Sequence, residues 1–370
     1  MDLFELRGRL KTRQSWLLGA LGFVFIIALW WIIAEALSVE RPVVEYTTRL
    51  PSSVVPDSLG GTVNIDSILR ADSIAFANAT EFRKVYPNLP RPDQVVASIP
   101  ELVQKDGLIS NTLHSIWLNL QGYFWAILFS IPLGYLIGLL PLFRGMFSKP
   151  VDALRYLPLT ALTGLFTLWF GLGDNMKIAF LAFGILVYLL PVVVQRIDEV
   201  EDVFLKTVQT LGAGKWQTIK SVYIPAVFSK LIEDIRVLTA ISWTYIIIAE
   251  LLNRQKGIGA LIYLKARQGQ IAKVFAILIV IVAVGFIQDR LFVYLDKRLF
   301  PHKYYKTTLD GLMEVEYGIF AIFGVMALVI LAGLIIGPAA WLTNLAIVVV
   351  LASILIIFYG EFKFRKALVD

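Results

Sequence analysis

Long apolar segments recur along this chain, and they limit the folds that it can adopt. About 20 consecutive apolar residues cross the hydrocarbon core of a bilayer as one helix. Eight segments fit this length, at Trp16 to Leu37, Leu113 to Leu140, Leu154 to Phe170, Lys177 to Gln195, Ala226 to Leu252, Ile271 to Tyr294, Tyr317 to Ile336 and Pro338 to Tyr359. The sequence therefore predicts an all-α polytopic membrane protein, a helical bundle with about eight crossings. Gly134 and Gly138 in the second segment predict close contact with another helix.

The composition agrees with a membrane protein and excludes a soluble two-domain enzyme. Hydrophobic residues make up 58% of the 370 residues and charged residues 17%, whereas soluble proteins usually carry about 25% charge. The chain has no cysteine, and its two histidines, His114 and His302, lie far apart. We therefore predict no metal site. The net charge is +6, but basic residues in membrane proteins mostly follow topology, so nucleic acid is not an expected partner.

The distribution of charge predicts the topology. Basic residues precede the first apolar segment, which lacks a small-residue cleavage site, so we interpret it as a retained anchor with a cytoplasmic N-terminus. Eight crossings then place both termini in the cytoplasm. The predicted external loop from Leu251 to Lys273 breaks the positive-inside bias, because it holds five cations and no acid: Arg254, Lys256, Lys265, Arg267 and Lys273. Either the topology differs there or these cations have a function, and we favour the second.

A cytoplasmic segment between the fourth and fifth spans has its own pattern. Phe204, Val208 and Leu211 recur at helical spacing, glycines follow, and a second short amphipathic piece ends at Pro225. This predicts two short helices along the membrane face. They either pack under the bundle as a plain interfacial pair or dock a cytoplasmic partner. The acids Asp198, Glu199, Glu201 and Asp202 just before it are interpreted as surface charge or as contacts to a basic partner.

The residues of this segment resemble the EAA loop of binding-protein-dependent ABC importer permeases. Leu211-Gly212-Ala213 and the ending Val222-Tyr-Ile224-Pro225 match in kind and spacing, whereas Lys206-Thr207-Val208 replaces the Glu-Ala-Ala of the family. Further ordered matches cover roughly residues 88 to 304 and resemble the nitrate, sulfonate, taurine and bicarbonate branch; they include Leu89-Pro-Arg-Pro92, Trp169-Phe-Gly-Leu-Gly173, Ala249-Glu-Leu251 and Gly257-Ile-Gly259.

The resemblance implies a transport subunit rather than an enzyme. It implies a type I importer core of six spans, here with two extra C-terminal spans. The domains would be a cytoplasmic N-terminus and first span (1–38), an external Pro-rich segment (39–112), the permease core with a coupling segment at 200–225 (113–304), and a C-terminal hairpin and tail (305–370). Implied partners are a second copy of the permease in a homodimer, two cytoplasmic ABC ATPases, an external solute-binding protein and the inner-membrane bilayer.

The same resemblance assigns the energy source to a partner. The chain has no Gly-x-x-x-x-Gly-Lys-Ser/Thr phosphate loop, so no cofactor and no catalytic residue is expected on it, and ATP and Mg would bind the ATPase. The coupling residues would be Phe204, Lys206, Leu211, Gly212, Ala213, Trp216, Ile224 and Pro225. Of these, Phe204, Leu211 and Trp216 would fill a groove of the ATPase, and Pro225 would end the cytoplasmic helix.

The solute pathway is predicted from polar and aromatic residues of the third to fifth spans. The candidates are Thr160, Thr163, Thr167, Trp169, Trp243, Tyr245 and Glu250. Threonines at helical spacing also pack or bond to their own backbone, and Glu250 is expected to pair with Arg254 at i+4. The basic outer loop would attract a small anion such as a sulfonate, nitrate or bicarbonate and receive the binding protein, or contact lipid head groups. A permease for lipid or envelope components, and a receptor or scaffold without an ATPase, are the alternatives.

Overall fold

The computed structural model describes residues 12–42, 82–304, 310–335, 337 and 340–367. Most of the predicted Pro-rich segment, residues 43–81, lies outside this part. The chain divides into two compact units, Met1–Lys105 with Leu264–Ile277, and Asp106–Tyr263 with Leu278–Asp370. Helices form most of the described residues, as the apolar pattern predicts.

The first unit contains two complete helices, a two-stranded sheet and parts of two later helices. Helix α1 (Thr12–Ala36) leads into strand β1 (Val39–Pro42), which pairs antiparallel with β2 (Phe82–Val85), and α2 covers Pro92–Gln104. Glu35 at the end of α1 accepts hydrogen bonds from Lys84 Nζ at 2.5 Å and from Tyr86 Oη at 2.9 Å. The strand pair, which the sequence did not predict, therefore joins the two ends of residues 43–81.

The second unit holds the remaining helices. They are α3 (Leu108–Leu139), α4 (Pro141–Leu154), α5 (Thr163–Phe170), α6 (Asp174–Asp198), α7 (Asp202–Thr210), α8 (Lys215–Thr218), α9 (Ile224–Leu252), α12 (Leu312–Ile335) and α13 (Ala340–Ala367). Helices α10 (Ile258–Arg267) and α11 (Ile271–Leu299) each have residues in both units. Short 3₁₀ turns cover Leu159–Leu162 and Pro301–Lys303, and a π-helical turn covers Ile219–Tyr223.

Seven of the eight predicted spans are long apolar helices in the described part of the chain. The exception is the third, Leu154 to Phe170, which is divided into the 3₁₀ turn and the eight-residue α5. Pro158 explains the break, because it lacks an N–H and disfavours helical geometry at Leu157. An eight-residue helix is only about 12 Å long, too short to span a hydrocarbon core of about 30 Å by itself.

The packing of α3 against α6 requires the broken segment to cross the bilayer nevertheless. A methyl group at Gly122, Gly134 or Gly138 would collide with Leu181, Val193 and Ile197 respectively. The predicted close contact of Gly134 and Gly138 is thus confirmed. Because the residue numbers of both helices rise together along the contact, α3 and α6 run parallel. Both are candidate spans, so the chain between them must return across the bilayer, and residues 140–173 supply that crossing.

Helix α9 runs antiparallel to α6 and completes the centre of the bundle. Asp234 near the start of α9 meets Arg196 near the end of α6, and Tyr245 near its end meets Phe180 near the start of α6. Residues such as Leu189, Val193 and Leu231 are almost fully buried between these helices. Lipid tails are as apolar as such side chains, so close packing rather than exclusion of water stabilises the contact.

The last two spans form an antiparallel hairpin. Gly311, Gly318 and Gly360 allow close contact of α12 with α13, since a Cβ at any of them would meet the facing helix within about 3 Å. Glu361 on α13 accepts hydrogen bonds from Arg298 at 2.6 and 2.8 Å and from Tyr294 at 2.9 Å. These contacts fasten the open end of the hairpin to α11.

Candidate functional site

The turn after α7 explains the Leu-Gly-Ala element of the coupling segment. The Gly212 N–H donates to Gln209 O and the Ala213 N–H to Val208 O, both at 3.0 Å. This pair of bonds is a Schellman motif, which requires a left-handed residue after the helix. Gly212 has a φ of 77°, a conformation that glycine adopts without steric cost. Space around Gly212 is open, because among the described residues no atom beyond Gly212 and its two chain neighbours lies within 4 Å of a Cβ placed there.

Apolar side chains around this turn are exposed. Leu211 is 80% exposed, Trp216 71% and Phe204 54%. Lys206 is also exposed, whereas Ala213 is half-buried. Large apolar side chains grouped on a surface are typical of protein interaction sites. The three residues predicted to fill an ATPase groove are thus available to a partner, and we call Phe204, Leu211 and Trp216 the coupling patch.

Helix α8 continues into the fifth span without a break, which corrects the prediction for Pro225. The helical path from Lys215 to Leu252 includes the π-turn, where the Ile224 N–H bonds to Ile219 O, and Pro225 lies in the first turn of α9. A π-turn shifts the hydrogen-bond register, so the missing N–H and the ring of the proline are accommodated. Pro225 therefore does not end the cytoplasmic helix.

Ion pairs fasten the base of the coupling segment to the bundle. Arg196 on α6 makes two hydrogen bonds of 2.7 Å to Asp234 on α9 and one of 2.6 Å to Glu199. Lys230 lies 3.3 Å from Glu199, and Arg144 pairs with Asp198. Hydrogen bonding to Arg196 holds the pKa of Glu199 below its usual value of 4.5. Two of the four acids interpreted as surface charge thus bind cations of their own chain.

The broken third span is packed on one side only. Phe166 is buried against Phe180 and Phe183 of α6, while Trp169 is 64% exposed. Thr163 and Thr167 donate hydrogen bonds to Thr160 O and Thr163 O at 2.8 and 2.9 Å, so these threonines bond to their own backbone. Thr160 is exposed.

Two other pathway candidates serve packing within the bundle. Trp243 is 6% exposed, and its Nε1 donates a 2.9 Å hydrogen bond to Gln288 Oε1 on α11. Tyr245 lies edge-on to Phe180, and a Cβ at Gly184 would be only 2.9 Å from its ring. Both side chains therefore join helices to one another.

Glu250 forms the centre of a buried polar network that the sequence predicted differently. Its Oε1 accepts a 2.6 Å hydrogen bond from Ser115 Oγ, and its Oε2 accepts one of 2.8 Å from the Gly259 N–H. Arg254, the expected partner, instead donates to Leu251 O and lies 4.0 Å from the centre of the Tyr263 ring. The side chain turns inward because Gly257 and Gly259 leave room for it, as a Cβ at either would collide with Glu250.

Lys177 and His114 extend this network, and sequence reasoning missed Lys177. The Lys177 side chain is fully buried, and its Nζ binds Asp174 Oδ1 and Lys256 O at 3.0 Å each. His114 Nε2 lies 3.3 Å from the same Asp174 oxygen. A lysine three residues after an aspartate at the start of an apolar helix was the available signal. Among the described residues, no group of three acidic or histidine side chains could hold a metal ion.

The basic outer segment is only partly exposed. Arg254, Lys256 and Arg267 are exposed, but Lys265 is 5% and Lys273 8% exposed. Lys273 pairs with Glu101 at 3.2 Å. Residues 258–267 form α10 rather than a loop, and helix packing buries the two lysines that the sequence assigned to the surface.

Comparison with known proteins identifies the family. Residues 130–301 match the model of the binding-protein-dependent transport system inner membrane component. The chain is 26% identical to the taurine transport system permease protein TauC of Escherichia coli, over 58% of this chain and 79% of TauC. It is 31% identical to a Bacillus subtilis protein named as an aliphatic sulfonates transport permease, SsuC, over 57% of this chain and 76% of SsuC.

Two further similarities concern another protein named as a permease and a solved transporter structure. A Methanocaldococcus jannaschii protein named as an ABC transporter permease is 29% identical over 57% of this chain and 81% of its own length. A solved amino acid ABC transporter has a TM-score of 0.42 and 18% identity, covering 55% of this chain and 97% of that one.

Family members are membrane permease subunits rather than enzymes, and they act with ATPases and substrate-binding proteins. The glycine turn of the coupling segment, the Glu250 network and the transmembrane core all lie in or beside the matched residues 130–301. The chain belongs to the inner-membrane permease components of binding-protein-dependent ABC transporters, in the branch of the taurine and aliphatic sulfonate permeases.

Proposed function

We propose that this chain forms half of the solute pathway of an ATP-driven importer and that its coupling patch docks into a cytoplasmic ATPase. The observation that carries the proposal is the exposure of Phe204, Leu211 and Trp216 around the glycine turn. A docking surface needs apolar side chains that its own chain leaves uncovered. The open space at Gly212 supports close approach of a partner backbone.

The connection of this patch to the membrane supports force transmission. The helical path from Lys215 to Leu252 has no hinge of extended residues, so a displacement of α8 would move α9. Arg196 ties α6 to α9 through Asp234, and the two helices would move as a pair. ATP-driven closure of two ATPases would thus reach the bundle through stiff elements.

The broken third span supports a pathway between two copies of the chain. Irregular backbone at membrane depth is tolerated only where protein covers it or where it lines a water-filled cavity. Residues 155–158 are not helical, and most of the segment from 155 to 173 is exposed. We therefore assign Thr160 and Trp169, together with Thr163 and Thr167, to the face that a second permease subunit covers and along which solute passes.

A small organic anion is the solute class that we propose. The relatives TauC and SsuC are named for taurine and aliphatic sulfonates, and both carry a sulfonate group. Exposed Arg254, Lys256 and Arg267 would raise the local concentration of such an anion at the outer mouth.

Both termini would lie in the cytoplasm, because eight crossings and the basic segments near residues 144, 196 and 363 agree on this orientation.

The docking proposal is tested with the complex reconstituted from this chain, its ATPase and its binding protein. Leu211→Ser is expected to reduce solute-stimulated ATP hydrolysis at least tenfold, because it removes an apolar side chain from the patch. Gln209→Ser, two residues away on exposed α7, is the matched control and should retain the activity. Normal stimulation in Leu211→Ser, or failure of the permease to co-purify with any ATPase, would contradict the proposal.

Anion attraction is tested separately by transport at varied salt. A triple charge reversal of Arg254, Lys256 and Arg267 should raise the KM for ethanesulfonate, an aliphatic sulfonate with a net negative charge, several-fold at low ionic strength, and the effect should shrink as salt screens the charges. Charge reversal at Lys366, an exposed lysine near the C-terminus, is the control and should leave the KM unchanged. An unchanged KM at low salt in the triple variant would overturn this part of the proposal.

A further inference from the structure

A large cavity separates the C-terminal hairpin from the rest of the bundle. Its volume is about 1160 Å³, which exceeds the roughly 300–1,000 Å³ of sites for small molecules. Its walls are α3 from Trp117 to Phe129, α6 from Asn175 to Ala182, α12 from Ile322 to Leu334 and α13 from Leu342 to Leu351. The hairpin lies beyond the matched family residues 130–301, so the cavity is a feature that this chain adds to the family core.

Ion pairs and apolar packing fasten the hairpin to the bundle at its open end. Arg298 and Tyr294 bind Glu361 near the open end of the hairpin, and Leu295 packs there with Val315 and Ile319. The lining residues of α12 and α13 lie instead next to the connection around residue 337. The cavity therefore lies at the connected end of the hairpin, between α12 and α13 on one side and α3 and α6 on the other.

The surroundings of the cavity select a lipid as its occupant. All four wall helices are candidate membrane spans, so the medium at this depth is hydrocarbon. Most lining side chains are apolar, such as Phe129, Ile178 and Val350, and give water few hydrogen-bond partners, whereas a buried water typically makes about three. An acyl chain is already dissolved in hydrocarbon and needs no hydrogen-bond partner, so it enters the cavity without a desolvation cost.

The length and polarity of the cavity match one leaflet. Trp117 and Phe129 are about 18 Å apart along α3, and one leaflet of hydrocarbon is about 15 Å thick. Polar lining residues lie at the same end, where α6 and α13 begin: Gln121, Asn175 and Thr343. That end faces away from the coupling segment, because α6 runs from Asp174 toward Asp198. Glycerol and head-group oxygens would therefore meet amide and hydroxyl groups there.

We infer that this cavity holds one phospholipid from the leaflet opposite the coupling segment, with its acyl chains between the added hairpin and helices α3 and α6. The lipid fills the space that the hairpin leaves against the core. It stabilises the hairpin through dispersion contacts with the lining side chains. This inference does not depend on the solute or on the ATPase.

Native mass spectrometry of the full-length chain in detergent tests the inference, with 1-palmitoyl-2-oleoyl-phosphatidylglycerol as the added probe. The wild type should retain one lipid per chain after dilution into lipid-free detergent. Val350→Trp fills the cavity from α13 and should lower retention at least fivefold. Val348→Trp on the same helix is the matched control, because Val348 is 66% exposed and does not line the cavity.

A second variant keeps the test decisive if Val350→Trp fails to fold. Ala182→Trp fills the cavity from α6 and should lower lipid retention to the same extent. Equal retention in the wild type and in a folded filling variant would overturn the inference. A filling variant that loses the mass of a dimer but retains as much lipid as the wild type would also overturn it, because the occupant would then be a second copy of the chain.

Discussion

Ser115 on α3 donates a 2.6 Å hydrogen bond to Glu250 on α9, across 135 residues of sequence. The same hydroxyl accepts a 2.9 Å bond from the Ile258 N–H, and the Asn111 side chain accepts one of 3.0 Å from the Gly257 N–H. A single pair of polar residues thus fixes the turn between α9 and α10 to α3. Ala249-Glu-Leu251 and Gly257-Ile-Gly259 therefore contact each other directly, because the Glu250 carboxylate accepts a hydrogen bond from the Gly259 N–H.

Truncation of Glu250 should destabilise the fold. Glu250→Ala leaves the Gly259 N–H without its acceptor, and an unsatisfied buried group costs about 1–3 kcal/mol. Glu250→Gln should cost less, because the Ser115 hydroxyl also lies 3.1 Å from Asn111 O and can donate there while accepting from the amide. Thermal unfolding in detergent measures both. Glu233→Ala, at a side chain 62% exposed, is the control, and an equal loss there would contradict the assignment.

Gly257 is expected to tolerate no side chain. Its φ is 120°, and a Cβ would collide with the Glu250 carboxyl group, so Gly257→Ala combines backbone strain with overpacking of about 1–3 kcal/mol. Gly171 also has a positive φ, of 74°, but nothing lies within 4 Å of its Cβ position. Gly171→Ala should therefore lower the thermal midpoint less. A similar midpoint for both variants would show that the Glu250 contact is unimportant.

Gly212→Asp should fold but uncouple transport from ATP hydrolysis. Asp adopts the left-handed conformation more readily than most residues, and the space around Gly212 is open, so the permease itself is expected to remain intact. The carboxylate would enter the apolar interface that we propose. Solute-stimulated ATPase activity is the measurement, with Gly214→Asp as a control because Gly214 has a φ of −71°. Full stimulation in Gly212→Asp would refute the docking assignment.

Acid should weaken the base of the coupling segment. The pKa of Glu199 is lowered in the folded chain, chiefly by Arg196, so its contribution to stability is present above the usual value of 4.5 and is lost as the pH falls through the folded value. The difference in thermal midpoint between wild type and Glu199→Gln should be constant near neutral pH and shrink in acid. A difference that grows on acidification would contradict this ion-pair role.

The sequence by itself determined the membrane class, the segments that cross the bilayer and the coupling segment. These features depend on runs and spacings of residue types, which neighbours far along the chain do not alter. The glycine turn at Gly212 is also local, since a Schellman motif needs only consecutive residues. The exposure of Phe204, Leu211 and Trp216 was left open by the sequence, which also allowed the two short helices to pack under the bundle.

Tertiary structure decided which polar residues meet. Glu250 and Arg254 have the spacing of an ion pair, yet room beside Gly257 and a donor on α3 turn the carboxylate inward. Lys265 and Lys273 count as two surface charges in the sequence but are buried by helix packing. The return crossing after α3 follows from the parallel packing of α3 with α6. The cavity beside the hairpin depends on how α12 and α13 lie against α3 and α6. Such features depend on contacts between residues distant in sequence, and composition and periodicity carry no information about those contacts.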